Sequence, residues 1–229
     1  MGDLLKFKNH GYGTKSLAQE AKDSLFILCK LLGFDDVNHK THDSILSMLE
    51  DNQKLRKLIC VPRGCLKSSI GCVAYPIWLL LNNPNIRILI DSELYTNSCT
   101  FLREIKQHMK SARFLRCFGN LEGDIWTQGE IIIKTRTKRL KEASVSCGGI
   151  GTTRVGQHYD VIIADDLNSH SNSNTSENAQ KVIDHYKYNI SILEPGGIYV
   201  IIGTRYASND IIGHILQNEE HDYIGGLLA

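Results

Sequence analysis

The residues best suited to chemistry in this 229-residue chain stand in Pro62-Arg63-Gly64-Cys65-Leu66-Lys67-Ser68-Ser69. An apolar run, Leu58 to Val61, stops at a proline and glycine turn, and a Lys-Ser pair then opens a stretch that reads as an amphipathic helix over 69–81. That layout suits phosphate: N–H groups of the turn and the helix start cradle oxygens, Lys67 reaches the β and γ phosphates, and the Ser68 hydroxyl ligates Mg²⁺. The spacing departs from G-x-x-x-x-G-K-[ST], with Val61 and Leu66 where glycines are usual. A second apolar run, Asp160 to Ala164, ends in Asp165-Asp166. A strand buried on both faces carries charge only at its end, where a parallel sheet collects its ligands. Asp165 would hold the metal, and Asp166 would orient or deprotonate the attacking water. A third run, Ile198 to Ile202, ends in Gly203-Thr204-Arg205, a polar tip suited to sensing a γ-phosphate. Each group has a plainer use as well: Lys67 and Ser68 as a helix start, the Asp pair as a cap or turn, Arg63 as a surface ion pair, Arg205 as a strut to Asp210.

The elements that would position these groups alternate. Apolar spacing predicts a helix from Lys15 to Leu32 that stops at Gly33, and a shorter one from Asp43 to Glu50. After the phosphate loop come a strand at 86–90, a helix marked by Leu94, Leu102, Ile105 and Met109, and short extended pieces at 131–133 and 144–147 that read as a hairpin or meander on the sheet edge. A polar loop at 168–175, a helix through Ala179 to Leu193, and a turn at Pro195-Gly196-Gly197 lead into the third strand. Strand and helix in alternation imply a mainly parallel sheet with right-handed crossovers, an α/β domain. Residues 1–52 read as a helical lead-in and 53–229 as the core.

Composition excludes several classes. The apolar fraction is 42% and the charged fraction 22%, ordinary for a globular protein. No run approaches the ~18 apolar residues of a membrane span, and no signal-peptide core opens the chain, so a cytoplasmic location is expected. Seven cysteines without C-x-x-C spacing read as reduced structural thiols. A net charge of +1 gives no global attraction to nucleic acid. The run Lys134, Arg136, Lys138, Arg139, Lys141 reads as a solvated edge strand or as a local DNA patch. His39 and His42 read as cap or surface residues rather than adenine contacts, and Tyr75 and Trp78 as core.

With these residues in place the chain resembles the ATPase domain of the large terminase subunit, the DNA-packaging motor of tailed phages and herpesviruses. The resemblance rests on Pro62-Arg63-Gly64 before Lys67-Ser68, on Gly156-Gln157-His158-Tyr159-Asp160 leading into Asp165-Asp166, and on Gly203-Thr204-Arg205-Tyr206 followed by Asp210. It implies a P-loop NTPase of the additional-strand type using ATP and Mg²⁺. Arg63 would act on the γ-phosphate within the subunit, Arg154 across a ring of like subunits, and Thr204 and Arg205 in coupling. The partners implied are double-stranded DNA, a portal protein and a small terminase subunit.

Leu66 stands where the family has glycine, so a negative φ is expected there. Asp166 is one methylene shorter than the usual glutamate, so water would sit closer or Asp210 would assist. The chain ends at Ala229 without the family's RNase H-type nuclease domain, which reads as an isolated motor domain that does not cut DNA. Two other readings stay open: a lobe of a helicase-like translocase, and a degenerate phosphate loop serving as an interaction module.

Overall fold

The computed structural model describes residues 16–169, 175–205, 210–219 and 224–227. Three helices, α1 (Leu17–Asp23), α2 (Leu25–Leu32) and α3 (His39–Glu50), precede β1 (Arg56–Cys60). The single helix expected over 15–32 is two, because Ser24 is extended at φ −137° and ψ 122°. Gly33 ends α2 at φ 95°, the left-handed cap its position suggested. After β1 and the loop at 61–68 come a π-helical stretch (Ser69–Ala74) and α4 (Tyr75–Asn82). This segment is not amphipathic. Ile70 through Leu80 are all buried, because the lead-in helices cover the side turned away from the sheet.

Next follow β2 (Ile88–Ser92), α5 (Tyr95–Met109), α6 (Ala112–Phe118), β3 (Glu122–Trp126), β4 (Glu130–Ile133) and β5 (Val145–Cys147). The chain closes with β6 (Tyr159–Asp165), α7 (Ser176–Ser191), β7 (Leu193–Gly203), α8 (Ile211–Asn218) and β8 (Ile224–Leu227). The polar run expected as a loop falls partly outside the described residues, at 170–174.

One eight-stranded sheet has the order β3-β4-β5-β2-β6-β7-β1-β8. The strands from β5 to β8 in that order pair in parallel, and β3 and β4 are antiparallel additions at one edge, the meander the sequence suggested. The extra strand β7 lies between β1, which leads into the loop at 61–68, and β6, which ends in the paired acids. The basic run at 134–141 is a turn between β4 and β5, not an edge strand. Pro195-Gly196-Gly197 is an outward bulge inside β7 rather than a turn before it, since Leu193 faces Tyr159 while Ile198 already faces Val161. Gly196 adopts φ 80° there, and Arg87 holds the bulge by donating to Glu194 at 2.9 Å and to Asp160 at 2.8 Å.

Period-two alternation splits the core. Val161 and Ile163 of β6 face the lead-in helices, α4 and α5; Ile162 and Ala164 face α7 and α8. With helices on both faces, a polar side chain finds water only at the strand ends, which places the site. No helix among the described residues is long and apolar enough to cross a membrane.

Candidate functional site

Three parallel strands end side by side. The register pairs Cys60 of β1 with Gly203 of β7, and Ile202 of β7 with Asp165 of β6. The loop after β1, the acids after β6 and the Thr after β7 therefore share one edge. Pro62, Arg63 and Gly64 are exposed, and Gly64 takes φ 87° with open space around the Cβ position. Cys65 and Leu66 are half-buried against the main core. Leu66 is left-handed at φ 49°, contrary to the expected negative φ. Its carbonyl already accepts from Ile70 N at 2.9 Å, so the chain must turn into the helix at Leu66, and packing against the core holds the strained residue.

Lys67 is buried, with its ammonium held by oxygens from all three tips. It donates to Thr204 Oγ1 at 2.6 Å and to Val61 O at 3.5 Å, and stands 3.7 Å from Asp166 Oδ1. Ser68 Oγ donates to Asp165 Oδ1 at 2.8 Å. Ser69 begins the π-helical stretch, a form that often marks functional positions. Gly71 lies within that stretch because a Cβ there would stand 2.1 Å from Ile202 Cδ1, so the absence of a side chain lets the helix approach β7 closely.

Asp165 is buried at 3% exposure, and its carboxyl is pushed up to about 7, first by burial and then by the charge of Asp166; Ser68 and Lys67 act in the opposite sense. Asp166 has φ 42°, a conformation short polar residues tolerate better than others, and Asp166 N donates to Ile202 O at 2.8 Å. Its Oδ1 is buried with no hydrogen-bond partner among the described residues. These donors fit a small hard cation. A hydroxyl and a carboxylate in contact, under excess negative charge, match the one or two protein oxygens by which Mg²⁺ is held beside phosphates. Among the described residues no group of three His, Cys, Asp or Glu could hold a metal alone. Phosphate oxygens would have to complete the coordination.

The structure thus brings together Lys67, Ser68, Asp165, Asp166 and Thr204. Arg205 is exposed at the end of β7, and Asp210 caps α8 by accepting from Gly213 N at 2.8 Å. Arg154 is engaged within the fold: its guanidinium donates to Gln157 Oε1 of its own loop and to Tyr159 Oη of β6, both at 3.2 Å, and its backbone N to Tyr188 Oη of α7 at 2.6 Å. His42 is buried against the N-cap Asn38, and His39 stacks on Phe26 at 3.9 Å between ring centroids. Tyr75 and Trp78 are buried, as core residues would be.

Sequence reasoning missed a buried cluster beneath the site. Asp91, near the end of β2, accepts from Asn189 Nδ2 and bonds His185 Nε2, both at 2.6 Å. The segment Ile88-Leu89-Ile90-Asp91 has the same apolar-then-acid form as β6, which was the available signal. The helix that supplies its partners begins only at Ser176.

No protein-family model and no curated protein sequence matches the chain. Solved structures do. The large terminase ATPase domain of Thermus phage P74-26, in a mutant form, superposes with a TM-score of 0.55 at 15% identity, over 88% of this chain and 84% of that one. The large terminase of bacteriophage HK97 superposes with a TM-score of 0.59 at 11% identity, over 90% of this chain. This chain spans 43% of the HK97 protein. The fold, a mainly parallel α/β sheet with an added strand between the loop strand and the acidic strand, is that of the phage large terminase ATPase domains.

Proposed function

We propose that the chain is an Mg²⁺-dependent ATPase, the motor domain of a terminase large subunit that drives double-stranded DNA into a procapsid in the host cytoplasm. The observation that carries this reading is the convergence of Lys67, Ser68 with Asp165, and Thr204 at the ends of three adjacent parallel strands.

ATP would lie along the loop from Gly64 to Ser69, with its γ-phosphate beside Lys67. A water oxygen attacks the γ-phosphorus while the bond to the β–γ bridging oxygen breaks, giving ADP and phosphate. Asp166 orients that water and accepts its proton. Lys67 and Arg63 neutralise charge on the transferred group, and an Mg²⁺ held by Ser68 and Asp165 would supply the remaining positive charge at the β and γ oxygens. Before nucleotide arrives the Lys67 ammonium is bonded to Thr204. A phosphate oxygen taking that ammonium releases the hydroxyl, a direct route from phosphate state to the end of β7 and its Arg205. The expected partners are a portal protein, a small terminase subunit and further copies of this chain in a ring. In the ring Arg154 would leave its contacts with Gln157 and Tyr159 to act on a neighbour, so the lone chain should turn over slowly.

Steady-state phosphate release, with and without Mg²⁺, tests the reading on the wild type, Lys67→Ala and Asp166→Asn. Each substitution is expected to lower the rate by at least ~10². Equal rates in all three proteins would remove the ATPase. A nucleotide-binding module without turnover is the second reading, favoured by the left-handed strain at Leu66 and Asp166. It predicts Mg²⁺-dependent nucleotide binding with no release that depends on Lys67.

A further inference from the structure

Charge in this chain is segregated. Residues 103–141 hold ten Lys and Arg against four Asp and Glu, a net +6 in a chain whose total is +1, so the remainder carries −5. The structure gathers this charge on one outer surface. Arg103 and Lys106 of α5 and its C-cap Lys110 lie three and four residues apart in one row, alongside the row Leu102, Ile105 and Met109 that is buried in the core. α6 carries Arg113 and Arg116, both exposed. The chain after α6 meets the basic turn directly, since Lys134 N donates to Leu121 O at 2.8 Å. Lys134, Lys138 and Arg139 are exposed in that turn. Two of its cations serve the fold instead: Arg136 donates to Glu142 O at 2.7 Å and Lys141 to Gly156 O at 2.7 Å. Lys110 is half committed, paired with Glu122 at 2.8 Å.

We infer that the α5–α6 stripe and the 134–139 turn form the surface that grips the phosphodiester backbone of duplex DNA. The inference adds a location to the proposed motor and does not depend on its chemistry. Repeated cations without a large apolar centre suit phosphates better than a protein partner. The large apolar side chains exposed on this surface, among the described residues, are Leu115 at 39% and Ile125 at 36%. The surface is also remote from Lys67. Five strand spacings separate β1 from β4, about 24 Å at ~4.8 Å each. The turn lies at the amino ends of the parallel strands, where Ile88 N donates to Ser144 O at 3.0 Å, opposite to the phosphate loop.

The test compares the full chain with a variant carrying Arg113→Ala, Arg116→Ala, Lys138→Ala and Arg139→Ala. Binding of a 30-base-pair duplex is followed by fluorescence anisotropy from about 50 to 200 mM salt. Each lost phosphate contact should reduce the slope of log K against log salt by ~0.9, so four contacts should reduce it by about 3.6 and cost roughly 10³-fold in affinity at 0.1 M salt. Melting temperature and basal phosphate release should stay at wild-type values, which excludes misfolding. An unchanged slope overturns the inference, as does polyglutamate displacing the wild type more effectively than DNA of equal charge, which would mark an acidic protein as the partner. A changed slope alongside turnover that ignores Lys67→Ala would leave the surface standing while the catalytic reading fell.

Discussion

Asp165 offers the sharpest test of the site in its ligand-free state. Its carboxyl is pushed from 3.8 to about 7, by burial first and by Asp166 second. Between those two values the folded protein holds a proton that the unfolded chain has released. With more protons bound in the folded state, stability must fall as pH rises through that window, and the whole cost remains above pH 7. A shift of about three units at 1.36 kcal/mol each gives a cost on the order of 4 kcal/mol. Asp165→Asn removes the titration and keeps an acceptor for the Ser68 hydroxyl, which stands 2.8 Å from Oδ1. For a chain of this length 4 kcal/mol corresponds to roughly 10 °C in melting temperature. Thermal unfolding with chelator and no nucleotide, from pH 5 to pH 8.5, should show the variant only about 4 °C higher at pH 5, where about 1.6 kcal/mol of the cost is present. The variant should melt about 10 °C higher by pH 8. Added Mg²⁺ and nucleotide should then stabilise the wild type and do little for the variant, because the ion needs the charge that was removed. Melting curves that run parallel across the pH range would refute the claim that Asp165 carries an uncompensated buried charge.

The remaining expectations concern the surrounding frame. Leu66→Gly should change stability by less than about 1 kcal/mol, because relief of φ 49° offsets the lost apolar contact; chemical denaturation measures this, and the ~2–5 kcal/mol of an ordinary buried Leu truncation would show that the left-handed turn is unstrained. Gly149→Ala should destabilise by about 2 kcal/mol or more, since the new Cβ would stand 2.4 Å from Tyr95 N, backbone that cannot rotate away; an unchanged urea midpoint refutes that packing. Lys57 is fully buried, donates to Leu49 O at 2.8 Å, and is lowered to about 8 by burial against the opposing charge of Asp51. Above pH 8 the unfolded chain holds the extra proton, so wild-type stability should rise between pH 8 and about 10.5. Lys57→Met should abolish that rise and stabilise the protein at pH 7 by about 1–3 kcal/mol, read from denaturant melts at both pH values.

How much of this was legible in the sequence follows from which constraints are local. An apolar run bounded by polar residues must be buried along its length and open at its end, so Lys67, Ser68, Asp165, Asp166 and Thr204 announce strand tips by type and position alone. Conformation at a single residue is not local in that sense. Leu66 takes a positive φ because the loop must reach the start of the π-helical stretch while its side chain packs on the core, and residue type argued for the opposite sign. The helix expected as amphipathic is buried all round for a similar reason: the lead-in that covers its outer face is set by tertiary packing. Asp91 and Asp165 make the point most directly. Both close apolar parallel strands, and both read identically as acids at a sheet edge. Asp165 meets the Ser68 hydroxyl of the loop after β1, whereas Asp91 is met by His185 and Asn189, one helical turn apart on α7. The first arrangement leaves a buried carboxylate whose charge a cation can relieve, and the second satisfies its carboxylate within the fold. Identical local patterns thus yield a candidate metal ligand and a structural anchor, and only the partner brought in from far along the chain decides between them.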